Sequence, residues 1–82
     1  MKVYIVCREY LDWAENNGTE IIGVFSMLEN AEEKIKKVYE EELIFLEQEQ
    51  YKIVTVKAGR HYAEISTVYG DVNIYITTKE VE

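Results

Sequence analysis

The chain has few of the residues that most chemical sites require. Its 82 residues hold one cysteine, one histidine, four glycines and no proline. One cysteine cannot form an internal disulfide, and a metal site needs several converging His, Cys or carboxylate ligands. The glycines are scattered, and none forms a phosphate-cradling loop ahead of a helix. We therefore expect no metal, no cofactor and no enzymatic activity.

Long hydrophobic runs are also missing. There is no run of 18 apolar residues and no basic N-terminal region followed by a long apolar stretch, so neither a membrane span nor a signal peptide is expected. Together with the single cysteine, this pattern favours a cytoplasmic protein. The chain is 48% hydrophobic, with no repeat and no low-complexity linker. It is therefore expected to form a single globular domain over residues 1–82.

Basic residues are outnumbered by acidic ones. There are 9 Lys and Arg residues against 16 Asp and Glu residues, which gives a net charge of −7. Such a charge disfavours direct contact with nucleic acid or anionic lipid. It permits a basic partner, including a protein surface that normally holds nucleic acid. An acidic surface also favours solubility without any partner.

The pattern of apolar residues predicts five strands and one helix. The strands are expected at residues 2–8, 20–26, 51–58, 61–69 and 72–79. The helix is expected to begin near Met27, because Ser26 stands three residues before Glu29, as in a capping box. Its apolar stripe consists of Leu28, Ala31, Ile35, Val38 and Tyr39. The order ββαβββ predicts an α+β domain with one helix on a mostly antiparallel sheet.

Smaller features of the strands carry further expectations. Residues 9–19 are expected to form a long hairpin connection, and Gly23 in the second strand indicates a bulge or a close approach by the helix. Cys7 alternates with Val3 and Ile5, so it is expected to be a buried structural thiol. Cys7 and His61 have no third group that would make them a nucleophile and base.

Four segments of the first half carry a family resemblance. They are the strand at residues 3–6, the Glu-Tyr-Leu-Asp-Trp segment at 9–13, the Ile-Ile-Gly-Val-Phe-Ser joint at 21–26 and the Ala-Glu-Glu segment at 31–33. Over about residues 3–38 the chain resembles a family of small uncharacterised bacterial and phage proteins. The resemblance implies the fold and a phage or mobile-element context.

The second half of the helix collects negative charge. Residues 29–50 hold eight glutamates and three lysines, a net charge of −5, whereas the remaining residues hold eight acids and six bases, a net charge of −2. The stretch from residue 40 to residue 49 spans roughly 14 Å of helix and could imitate part of a phosphate backbone. The candidate contact residues here are Glu40, Glu41, Glu42, Glu47 and Glu49. The alternative is a solvated helix face.

Aromatic residues are the other candidate contacts. The chain has seven tyrosines and one tryptophan. Tyr10 and Trp13 fall in the predicted first loop and are candidate interface anchors, although half-buried packing on a sheet is the alternative. Residues 43–46 are four consecutive apolar residues that cannot all face one sheet. Either the helix bends and ends there, or some of them face a partner. A homodimer is a third possibility, in which the last strand is an open edge and a second copy covers residues 43–46.

Two functions follow from these features. The first is a non-enzymatic binding protein that contacts a protein partner through the acidic helix and exposed Tyr and Trp side chains. Its sharpest form is a phage or mobile-element inhibitor of a host defence or nucleic-acid-binding protein. The alternative is a protein that sequesters a nucleotide signal, possibly as a homo-oligomer, through guanidinium–phosphate pairing and stacking. The candidate ligand-binding residues are Arg8, Lys52, Arg60 and Tyr62.

Overall fold

The computed structural model describes residues 1–14 and 17–81, which form one helix and one five-stranded antiparallel sheet. The elements are β1 (Lys2–Leu11), β2 (Gly18–Phe25), α1 (Leu28–Gln48), β3 (Ile53–Ala58), β4 (Tyr62–Thr67) and β5 (Asp71–Glu80). The predicted order ββαβββ and the α+β class are confirmed. Among the described residues, no helix is long and apolar enough to cross a membrane.

The strand order across the sheet is β2-β1-β5-β4-β3. The last strand therefore lies in the centre, and the expectation that it is an open edge is wrong. The reason is that β1 and β5, the two longest strands, pair with each other over ten residues and join the N-terminal hairpin to the β3–β4 hairpin. The free edges, where a second copy could pair, belong to β2 and β3.

The core lies between α1 and one face of the sheet. α1 contributes Ala31, Ile35, Val38 and Leu46, and the sheet contributes Val6, Ala63, Ile65, Val72 and Ile74. Since side chains alternate along a strand, Val6 faces the helix and Cys7 faces the other side. Cys7 is nevertheless buried, as expected, between its cross-strand neighbours Ile21 and Tyr75.

The start of α1 differs from the predicted capping box. The N-cap is Met27, which has an extended backbone (φ −118°, ψ 129°) and makes no side-chain cap bond. Ser26 precedes the cap by one residue, so its hydroxyl stands outside the position from which a cap reaches the N–H groups of the first turn. Glu29 lies in the first turn, where its charge complements the helix dipole.

The end of α1 lies beyond the apolar run at residues 43–46, so the helix does not end there. The Gln50 N–H donates to the Glu47 carbonyl (3.1 Å) and the Tyr51 N–H donates to the Leu46 carbonyl (3.0 Å). Gln50 has a positive φ of 63°. These three features are those of a Schellman motif, which reverses the chain toward β3.

The β1–β2 hairpin is longer than the sequence predicts. β1 continues to Leu11 and β2 begins at Gly18, which shortens the predicted 9–19 connection, and residues 15 and 16 of that connection lie outside the described residues. The register shifts between Val6 and Cys7, opposite Gly23, which confirms the predicted bulge. A Cβ at Gly23 would stand 2.9 Å from the Phe25 ring, so the close approach is by Phe25.

Candidate functional site

The last turns of α1 and its C-cap carry four exposed carboxylates. Glu40, Glu41, Glu47 and Glu49, here called the acidic surface, are all exposed. No salt bridge among the described residues includes any of them. The three lysines of α1 lie in its first half, at positions 34, 36 and 37. The acidic surface therefore has no basic side chain within its own stretch of helix.

Glu42 does not belong to this surface, and its expected place beside Glu40 and Glu41 is wrong. It faces β1 with only 7% of its surface exposed. Its carboxylate accepts one hydrogen bond from the Tyr10 hydroxyl (3.0 Å) and one from Nη1 of Arg8 (3.2 Å). Arg8 also donates from Nε to the Glu20 carboxylate (2.8 Å). Helical periodicity explains the difference, since Glu42 lies four residues after Val38 and four before Leu46 on the buried face.

The Arg8 and Tyr10 side chains are held in this network. Burial raises the pKa of Tyr10 to about 12, and the negative charge of Glu42 adds to the effect. Burial alone would lower the pKa of Arg8, but the hydrogen bond to Glu20 and the nearby negative charges outweigh it and raise that pKa. The Arg8 guanidinium also lies 5.4 Å from the centre of the Tyr10 ring. Both residues therefore connect β1 to α1 rather than standing free for a partner.

Trp13 packs against the body of the protein instead of standing out as an anchor. Its Nε1–H donates to the Asp71 carbonyl (2.8 Å), and a Cβ at Gly70 would stand 2.7 Å from its ring. The ring also meets Tyr10 and Tyr51 edge-on, at centroid distances of 6.4 and 5.5 Å. Trp13 is thus half-buried and holds the first hairpin against the β4–β5 turn.

Two apolar side chains stand exposed beside the acidic surface. Ile44 is 55% exposed and Phe45 is 50% exposed. Ile44 lies four residues after Glu40 and three before Glu47, a spacing that places all three on one side of the helix. Neither residue is among the contact residues predicted from the sequence. The signal for them was the run of four apolar residues at 43–46, of which Leu46 alone is fully buried.

A groove lies between the first half of α1 and the turn that joins β3 to β4. Its volume is about 600 Å³, within the range of about 300–1,000 Å³ that is usual for ligand clefts. Apolar side chains of Ile35, Tyr39, Ala58 and Ala63 line it together with charged rim residues. The rim residues are Glu29, Glu32, Glu33, Lys36, Glu40 and Arg60.

The four candidate ligand-binding residues are not brought together. Arg8 is engaged on the helix side of the sheet, Lys52 follows α1, and Arg60 lies at the rim of the groove. Tyr62 lies on the opposite face, where its hydroxyl donates to Glu64 (2.8 Å). Burial, followed by the hydrogen bond to Glu64, raises the pKa of Tyr62 to about 12. Within the described residues, no three His, Cys, Asp or Glu side chains converge to hold a metal ion.

The face of the sheet opposite α1 is a second exposed apolar surface. Ile21 is 66% exposed and Val24 is 58% exposed. They stand across from Cys7 and Ile5 of β1, on the face that the helix does not cover. Of these two apolar surfaces, only the one on α1 lies within the acidic surface. Further large apolar side chains are exposed on β3 and in the β4–β5 turn, at Val54, Val56, Val68 and Tyr69.

Comparison with known proteins identifies one family, whose model matches almost the whole chain. Neither a curated protein nor a solved structure gives a significant match. A family model described as "Domain of unknown function (DUF7336)" matches residues 1–81. The match extends well past the residues 3–38 on which the resemblance in the sequence rests. The chain therefore belongs to the DUF7336 family.

Proposed function

We propose that this protein is a non-enzymatic binding protein that covers a basic surface of another protein with the acidic surface of α1. The observation that carries the proposal is the exposure of Ile44 and Phe45 among Glu40, Glu41 and Glu47. A helix face that is merely solvated has no need of two large exposed apolar side chains. Exposed apolar groups rimmed by charge are typical of protein contact sites.

The two parts of this surface have different roles in the proposed contact. Burial of Ile44 and Phe45 against the partner supplies most of the affinity, because apolar area leaves water. The surrounding carboxylates speed association with a positively charged surface and disfavour acidic partners. The acidic surface lies on the element that holds most of the negative charge, which supports a basic partner.

A protein surface that normally binds nucleic acid carries the positive charge that the acidic surface requires of its partner. Glu40 and Glu47 are separated by about two helical turns, roughly 10 Å along the axis. Carboxylates at that spacing can take the place of backbone phosphates on such a partner. A phage or mobile-element inhibitor of a host defence or nucleic-acid-binding protein is the sharpest form of the proposal.

The alternative function, sequestration of a nucleotide signal, has less support. Arg8, Lys52, Arg60 and Tyr62 lie apart, and Arg8 is already paired with two carboxylates. The groove that includes Arg60 carries four glutamates at its rim. Phosphate groups would be repelled there.

The experiment is a comparison of affinities for a partner that has been captured from host lysate and purified. The variant Glu40→Lys/Glu47→Lys reverses the two charges that flank Ile44. The matched control Glu9→Lys/Glu80→Lys makes the same change in net charge on the sheet. We expect the helix variant to bind about tenfold or more weakly by calorimetry, since several interfacial charge pairs are lost. Equal affinity of the two variants would overturn the proposal.

A further inference from the structure

The groove beside α1 exists because its sheet side is built from small residues. Ala58, Gly59 and Ala63 line that side, and none has a side chain larger than a methyl group. Gly59 cannot be larger without a shift, because a Cβ there would stand 2.9 Å from the Tyr62 carbonyl oxygen. Tyr39 of α1 lines the opposite side. The result is an open apolar floor next to the helix.

The rim of this groove is acidic. Four glutamates of α1 line it, against one lysine and one arginine. Glu32 is engaged by Nε2 of His61 at 2.9 Å. Glu29 and Glu33 are exposed, and neither takes part in a salt bridge within residues 1–14 and 17–81. An occupant that fits must offer apolar contact to the floor and positive charge to the rim.

We propose that the groove receives an arginine side chain from an extended segment of the basic partner. This inference rests on the proposed function, because the same partner supplies the segment. Its aliphatic stem lies along Ala58, which is exposed, in the way that arginine stems cover apolar surface while the head stays at a polar rim. The guanidinium meets the carboxylates of Glu29 and Glu33 in charge-assisted hydrogen bonds. The ring of Tyr39 provides an aromatic surface for stacking.

A phosphate or carboxylate ligand does not fit the same chemistry. The rim carboxylates outnumber the rim cations by two, so an anion would lose its hydration in a negative field. A purely apolar ligand would leave the charges at the rim without a partner. An arginine side chain offers an aliphatic stem to the apolar floor and a positive charge to the acidic rim.

The test is a two-dimensional NMR titration of the intact protein with acetyl-Arg-Ala-Arg-amide. The citrulline counterpart of the peptide keeps the stem and removes the charge. We expect saturable shifts confined to residues 29–40 and 58–63, with about tenfold weaker binding of the citrulline peptide, as the loss of charge-assisted bonds implies. Ala58→Phe, which fills the floor at an exposed position, and Glu29→Gln/Glu33→Gln should each weaken binding. Glu9→Gln/Glu80→Gln, with the same change in charge on the sheet, should not.

Two results would overturn the inference. One is the absence of shifts at residues 29–40 and 58–63 with the arginine peptide. The other is a response that shows only general attraction between charges. Such a response does not saturate, or it is reduced as much by Glu9→Gln/Glu80→Gln as by Glu29→Gln/Glu33→Gln. Neither result touches the proposed function, which is tested with the purified partner at Glu40, on the rim of the groove, and at Glu47, which does not line the groove. Groove binding together with unchanged partner affinity of Glu40→Lys/Glu47→Lys would overturn the proposed function, and with it the partner as the source of the segment, but would leave the arginine site in the groove standing.

Discussion

At the scale of single residues, Glu42 is a buried carboxylate that depends on its hydrogen-bond donors. Its carboxylate is buried between α1 and β1, and its charge is stabilised by the Tyr10 hydroxyl and the Arg8 guanidinium. Removal of a buried carboxylate leaves both donors without their acceptor, although Arg8 keeps Glu20. Among the described residues, no buried side-chain nitrogen or oxygen lacks a hydrogen-bond partner. The network therefore stabilises the second half of α1 only while it is complete.

The first prediction separates Glu42 from its exposed neighbour. Glu42→Ala should lower the free energy of unfolding by about 1–3 kcal/mol, because the half-buried Tyr10 hydroxyl and the Arg8 guanidinium both lose an acceptor. Glu41→Ala is the matched control and should change stability by less than about 0.5 kcal/mol. Urea denaturation of the three proteins measures both effects. Equal loss in the two variants would show that Glu42 has no special structural role.

At the scale of elements, α1 has two halves with different surroundings. The first half carries the lysines and borders the groove, whereas the second half carries the acidic surface and ends in the Schellman motif. That motif places Gln50 at a φ of 63°, a conformation that favours glycine because a Cβ is strained there. Position 50 is therefore occupied by glutamine, although glycine would be more stable there.

The second prediction concerns this position. Gln50→Gly should raise the free energy of unfolding by roughly 0.5–1 kcal/mol, since the relief of strain exceeds the added freedom of the unfolded chain. Gln48→Gly, inside the last turn of the same helix, is the control and should lower stability by about as much. Thermal denaturation followed by circular dichroism distinguishes the two signs. A loss of stability in Gln50→Gly would contradict the assignment of the motif.

The elements themselves could be predicted from the sequence, and their surroundings could not. Period-two alternation and the stripe from Leu28 to Tyr39 are local patterns, and both predicted the observed strands and helix. Glu42 looks like its neighbours in sequence, and only its contacts with β1 distinguish it. The same holds for Trp13, whose burial depends on Gly70 of a distant turn, and for the central place of β5, which depends on pairing with β1. The N-cap is Met27 and not the predicted Ser26. Sequence spacing alone does not resolve a difference of one residue at a helix end.

At the scale of the whole molecule, one helix covers one face of the sheet, and two of the apolar surfaces that stay exposed can be compared directly. One consists of Ile44 and Phe45 within the acidic surface, and the other includes Ile21 and Val24 on the uncovered face of the sheet. Under the proposed function, the charges near Ile44 favour a partner with a basic rim around an apolar contact. We therefore propose that the contact with a partner lies on α1.

The most direct measurement compares these two surfaces in a single binding assay with the purified partner. Ile44→Ser/Phe45→Ser removes the apolar centre of the surface on α1, and Ile21→Ser/Val24→Ser removes that of the sheet face. All four side chains are at least half exposed, so both variants should fold. We predict that the helix variant binds at least about tenfold more weakly, as loss of central anchors implies, while the sheet variant binds as the wild type does. Loss of affinity in the sheet variant, with the helix variant unchanged, would contradict the account.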